Sequence, residues 1–240
     1  MSIDEGKRRT IFVSFSGIDG AGKSTQIQRL CAKIEQAGLR CSLVGFWDEV
    51  ARFRQLRQAA AHLIFKGDRG VGTPSAPISK RDKNVHSRLM TLLRLCLYLA
   101  DAVSTRSSMK RALLCNADVV IFDRFIYDEL ANLRLENAAI CAYVRTIVRF
   151  VPKPHVSFLL DADPVEARAR KPEYPLEFLQ FSRKSYVALS ELIGCMTVIA
   201  PLPVCEVEQE VQNRSEVALS GALVQDTRDT GRHLVESAFK

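Results

Sequence analysis

The sequence predicts an α/β fold in three layers, a parallel sheet with helices on both faces. Three observations carry this. Strand-like and helix-like segments alternate from end to end of the 240 residues, the order that builds βαβ units. The runs DVVIF (118–122) and HVSFLL (155–160) are almost wholly apolar, as in strands covered on both faces rather than one. A glycine-rich turn, Gly17-Ile-Asp-Gly-Ala-Gly-Lys-Ser-Thr25, joins a strand-like segment to a helix-like one, which is the setting a phosphate-binding loop needs.

Ile11–Phe15 reads as the first strand. Over Gln26–Gln36, Ile27, Leu30, Cys31 and Ile34 fall at helical spacing, and Gly38 supplies a stop. Arg40–Phe46 reads as a second strand and Ala51–Ile64 as a helix. Residues 66–85, rich in Gly, Pro, Ser and charge, form a long loop, a length typical of lids and insertions. A long helix from His86 to Cys115 sets Leu89, Leu93, Cys96 and Ala100 on one face. After the 118–122 strand another helix lies between Tyr127 and Arg149. Pro152 and Pro154 precede the 155–160 strand, Pro164 begins a short helix, and Pro175 opens a longer one through Ile193. Thr197–Ala200 is the last strand and Glu206–Ala218 a terminal helix. One domain at 11–220 accounts for all of this, between a flexible N-terminus at 1–10 and a polar tail at 221–240.

A hydrophobic content of 47% and a charged content of 25% are those of a globular protein. The net charge of +7 favours polyanionic ligands. Lys and Arg are spread along the chain, with no basic block interleaved with aromatics, so nucleic acid is not expected as the main partner. The seven cysteines contain no CxxC pair and most sit among apolar residues, which predicts small buried thiols in a reducing compartment. The polar start and the lack of a long apolar run predict a cytoplasmic protein that does not span a membrane.

The candidate chemistry lies in the loop and at the strand ends. Gly17, Asp19, Gly20, Ala21, Gly22, Lys23, Ser24 and Thr25 would cradle nucleotide phosphates, Lys23 reaching the β- and γ-phosphates and Ser24 a magnesium ion. The second, third and fourth strands end in Trp47-Asp48-Glu49, Asp123-Arg124-Phe125 and Asp161-Ala-Asp163. Asp123 is the candidate to share the magnesium with Ser24, the competing reading being a helix cap. Arg124 beside it would bind an acceptor phosphate or neutralise charge on the transferred group. Arg168, Arg170 and Lys171 form a basic cluster at 164–176, either a closing lid or a solvated helix face. Arg52, Arg54 and Arg57 lie where an acceptor would enter.

The stretches FVSFSGIDGAGKSTQ (12–26), DVVIFDRF (118–125), FLLDADPVEARAR (158–170) and Phe178 through Arg183 to Tyr186 resemble the thymidylate kinase family, in its order, across residues 11–210. The resemblance implies a P-loop kinase fold with a five-stranded parallel sheet and transfer of the ATP γ-phosphoryl group to a nucleoside monophosphate such as dTMP. It also implies that Asp19 orients the acceptor sugar, Arg57 binds the acceptor phosphate, and Arg168 and Arg170 supply the assisting arginine from the lid, since Gly20 occupies the alternative place in the loop. Family members are commonly homodimers. Two segments depart from the family pattern, Gly45 to Val50 and Leu99 to Ser104, and Ala102 stands where an arginine would help read thymine. A kinase for nucleosides or other hydroxyl compounds, with Asp48 or Glu49 as base, and a nucleotide-binding regulator without catalysis are the alternatives. No Asn-Lys-x-Asp segment supports a GTPase.

Overall fold

The computed structural model of the chain describes residues 10–46 and 88–220. Five strands, β1 (Ile11–Ser16), β2 (Cys41–Gly45), β3 (Val119–Asp123), β4 (Val156–Leu160) and β5 (Thr197–Ile199), form one sheet in the order β2-β3-β1-β4-β5. Every pairing is parallel. The helices are α1 (Lys23–Gln36), α2 (Arg88–Ala112), α3 (Ile126–Leu130), α4 (Ala138–Phe150), α5 (Pro164–Arg170), α6 (Leu176–Ile193) and α7 (204–220). The expected α/β architecture and five-stranded parallel sheet are present.

Side-chain alternation along the strands sorts the interior into two cores. Ile11, Val13 and Phe15 of β1 pack with Ile27, Leu30 and Ile34 of α1 and with Val211 of α7. Phe12 points the other way, into a larger cluster with Phe122, Tyr127, Val144 and Leu189. All six residues of β1 are buried, which explains why the core strands read as continuous apolar runs. An Arg29–Glu208 ion pair and a Gln26 side-chain amide donating to the Val204 carbonyl (3.3 Å) join α7 to α1.

Three expectations need correction. The long helix α2 does not bury Leu93 and Cys96, which are exposed; its inward face carries Tyr98, Asp101, Ala102, Thr105, Met109 and Ala112. Counting apolar residues selected the wrong face because the buried one includes polar side chains. The helix placed between Tyr127 and Arg149 is two helices. Asn137 caps the second, its Oδ1 accepting the N–H groups of Ala139 (2.8 Å) and Ile140 (3.3 Å). The cysteines are not small buried hydrophobes: Cys96, Cys115 and Cys205 are exposed and the other four only half-buried, all with free thiols. The helix at Ala51–Ile64, the 66–85 loop and the 221–240 tail lie outside the described residues.

Candidate active site

The carboxyl ends of β1, β3 and β4 meet at one edge of the sheet, where ligands of parallel α/β sheets bind. β1 runs into the glycine-rich loop, and α1 begins at once at Lys23, earlier than the Gln26 start of the apolar spacing. Its N-cap is Gly22 in a left-handed conformation (φ 88°), with no side chain capping the first turn. The positive end of α1 is therefore left for an external anion. Gly20 (φ 83°) meets a stricter demand: a Cβ there would stand 2.2 Å from the carbonyl oxygen of Ala167 in α5. Only glycine fits between the loop and that helix.

Lys23 is buried and folds back over its own loop, its Nζ donating to the carbonyls of Gly17 and Ile18 (2.8 Å each). Burial pushes its ammonium down to about 8, with Arg124 adding to the fall while Asp128, Asp19 and Asp123 pull the other way. Ser24 and Thr25 are exposed at the open mouth of α1.

Asp123 is the last residue of β3, in register with Phe15 of β1 and Gly45 of β2. Arg124 follows with φ 68° and donates its N–H to Phe15 O (3.0 Å). That turn aims the guanidinium at the loop, where Nη2 meets Asp19 Oδ1 at 2.5 Å. Burial pushes the Asp19 carboxyl up, but Arg124, Lys23 and Lys171 together hold it below its ordinary value. Burial likewise works against the charge of Arg124, and the carboxylates of Asp128, Asp19 and Asp123 more than offset it.

The two carboxylates that follow β4 are engaged. Asp161 takes a bidentate ion pair from Arg183 of α6 (2.6 Å in both arms), and Asp163 caps α5 by accepting the N–H groups of Val165 (2.8 Å) and Glu166 (3.2 Å). Helix α5 carries Arg170, whose Nε donates to Gly20 O (3.0 Å), alongside a half-buried Arg168; Lys171 pairs with Glu173. Loop, Asp123, Arg124 and the 164–176 segment thus come together, whereas Trp47, Asp48, Glu49, Arg52, Arg54 and Arg57 lie outside the described residues.

Sequence reasoning missed Asp128. It is buried on α3 and accepts from Ser16 Oγ (2.7 Å), Phe125 N (3.0 Å) and Tyr186 OH (2.7 Å), with Arg124 Nη1 at 3.5 Å. An acid in the first turn of a short helix reads as a solvated end charge. The nearest signal was its place five residues past Asp123.

Among curated proteins, the chain is 31% identical over 168 residues to a thymidylate kinase of Prochlorococcus marinus (strain MIT 9312), covering 68% of this chain and 72% of that protein. It is 29% identical over 204 residues to a thymidylate kinase of Solidesulfovibrio magneticus, covering 75% and 85%. Its fold is similar to the crystal structure of thymidylate kinase from Ehrlichia chaffeensis, with TM-score 0.50 at 19% identity, covering 86% of this chain and 98% of that one. No protein-family profile matches the chain.

Proposed function

Because the chain belongs to the thymidylate kinase family, we propose that the loop at 17–25 and Arg124 carry its reaction, the ATP-dependent phosphorylation of a nucleoside monophosphate. The Asp19–Arg124 contact carries this reading. It sets a cation of the acceptor side directly against the donor loop, where an incoming monophosphate would displace one carboxylate with another anion.

An acceptor phosphate oxygen attacks the γ-phosphorus, the bond from that phosphorus to the β,γ-bridging oxygen breaks, and ADP leaves. Little covalent chemistry is asked of the protein; positioning and charge supply the acceleration. Lys23 leaves its two carbonyls to meet the β- and γ-phosphates, and the open first turn of α1 holds the same oxygens. Arg124 and Arg57 bind the acceptor phosphate and Asp19 its sugar. Arg168 and Arg170 close over the transferred group.

The donor set at the loop mouth, one exposed hydroxyl and one strand-end carboxylate, suits a hard divalent cation that keeps most of its waters. Ser24 and Asp123 would hold magnesium, which when bound offsets phosphate charge. Thymidine monophosphate or a related nucleotide is the acceptor. Ala102 is fully buried in the core, so thymine is not read by a side chain at that position. No described helix is long and apolar enough to cross a membrane; a cytoplasmic location is part of the same reading. So is a homodimer, for which the exposed Leu92, Leu99 and Val103 of α2 offer an apolar face.

The deciding assay measures ADP release from ATP and magnesium with a panel of monophosphates, with nucleosides and with no acceptor. Turnover with a monophosphate, lowered by roughly 10²-fold or more in Lys23→Ala, is expected. Turnover only with nucleosides, or undiminished turnover in the variant, would reject the reading.

A further inference from the structure

We propose that Asp128 is a positioning residue for this reaction: it fixes the guanidinium of Arg124 from the buried side and ties it, through Tyr186, to the helix that follows the lid segment. The proposal rests on the kinase reading above.

Asp128 gathers donors from four places. Its Oδ2 accepts from Ser16 at the end of β1 and from the N–H of Phe125 in the turn after β3; its Oδ1 accepts from Tyr186 of α6 and faces Arg124 at 3.5 Å. Three of the four donors are neutral, and a neutral acceptor would satisfy them at lower desolvation cost than a buried carboxylate. The negative charge is needed for the fourth. Asp128 stands first among the carboxylates that stabilise the charged form of Arg124.

Arg124 therefore sits between two acids of different character. Asp19, with its side chain 22% exposed, faces the ligand side; Asp128, with 1%, lies behind. An acceptor phosphate can take the place of Asp19, but nothing from solvent reaches Asp128. The buried acid is the fixed counter-charge about which Arg124 turns. It also locks the unusual turn, since Arg124 has a left-handed backbone that side chains disfavour, and the next N–H is the one Asp128 accepts. Tyr186 adds reach. Its hydroxyl is buried against Asp128, burial raising its pKa well above the ordinary value with Asp128 adding to it. A displacement of α6 would therefore be felt at Arg124.

Asp128→Asn and Tyr186→Phe in the full chain test this. In Asp128→Asn, kcat/KM for the monophosphate should fall about ten- to a hundredfold, with KM for ATP within about twofold. Tyr186→Phe should lose less, and the double variant no more than Asp128→Asn alone. A merely structural role would lower the melting temperature and leave acceptor kinetics of the folded protein unchanged, which overturns the proposal. Should Asp128→Asn fail to fold, Tyr186→Phe, which removes one hydroxyl, carries the same kinetic comparison. Wild-type protein that phosphorylates no monophosphate would reject the kinase reading instead. Arg124 guanidinium N–H resonances, identified by their loss in Arg124→Lys, then decide: restricted in the wild type and averaged in Asp128→Asn is expected, and identical signals in both overturn the proposal.

Discussion

The α-carbon of Gly20 faces the carbonyl oxygen of Ala167 so closely that a Cβ would come within 2.2 Å of it. The phosphate loop and the base of the 164–176 segment share one wall. No arginine can stand at position 20 in this conformation, and α5 sends Arg170 to the Gly20 carbonyl from the other side of the wall.

Gly20→Ala should destabilise the protein by about 1–3 kcal/mol through overpacking and its left-handed backbone, and lower kcat as loop and α5 separate. Thermal melts and steady-state kinetics on the same preparation check this. An Arg at position 20 should not rescue loss of Arg168 and Arg170.

Lys23→Met should keep the fold and lower kcat by roughly 10²- to 10³-fold, the usual cost of one preorganised charge at a developing anion. Circular dichroism and turnover assays separate the two effects.

The same lysine predicts a pH dependence. Below about pH 8 its ammonium is charged in the free protein and meets phosphate as it is. Above that, binding must first take up a proton, so ATP affinity should fall by up to about tenfold per pH unit, and this slope should vanish in Lys23→Met. Calorimetric titrations from pH 7 to 10 measure it. Stability has the opposite sign. Between about 8 and the ordinary 10.5 the unfolded chain holds more protons, so the wild type should gain stability relative to Lys23→Met as pH rises.

Asp163→Ala should cost about 1 kcal/mol by uncapping α5, with a smaller effect on ATP affinity than on kcat. Denaturant unfolding together with kinetics tests both.

Cysteine labelling at neutral pH should follow exposure. Cys96, Cys115 and Cys205 should react quickly. Cys41 should resist, because burial pushes its thiol up and the neighbouring Cys31 pushes it further. Mass spectrometry of the partly modified chain gives the order.

Much of the fold was legible because each core strand is a short apolar run and two helix starts carry a local sign, at Pro164 and Pro175. The loop and the Asp123-Arg124 pair were legible for the same reason: their chemistry is contiguous in sequence. The break before Asn137 was missed although the cap was there to read, since the flanking apolar residues kept a helical period. The inward face of α2 was illegible because it includes polar side chains, Asp101 and Thr105, that are buried all the same. Asp128 was illegible for the same reason. Its value comes from Ser16 and Tyr186, 112 and 58 residues away, and no local pattern records such a meeting.

β1 lies at the middle of the sheet, with β3 and β2 to one side and β4 and β5 to the other. The donor loop hangs from this central strand, Arg124 from the first flank, and α5 and α6 from the second. The two segments that depart from the family pattern adjoin the first flank in sequence: one begins at the end of β2, the other lies on the helix leading into β3. The departures in this chain therefore gather on the wing that also carries Arg124, while the β4–β5 wing, with α5 and α6, keeps to the family's motifs.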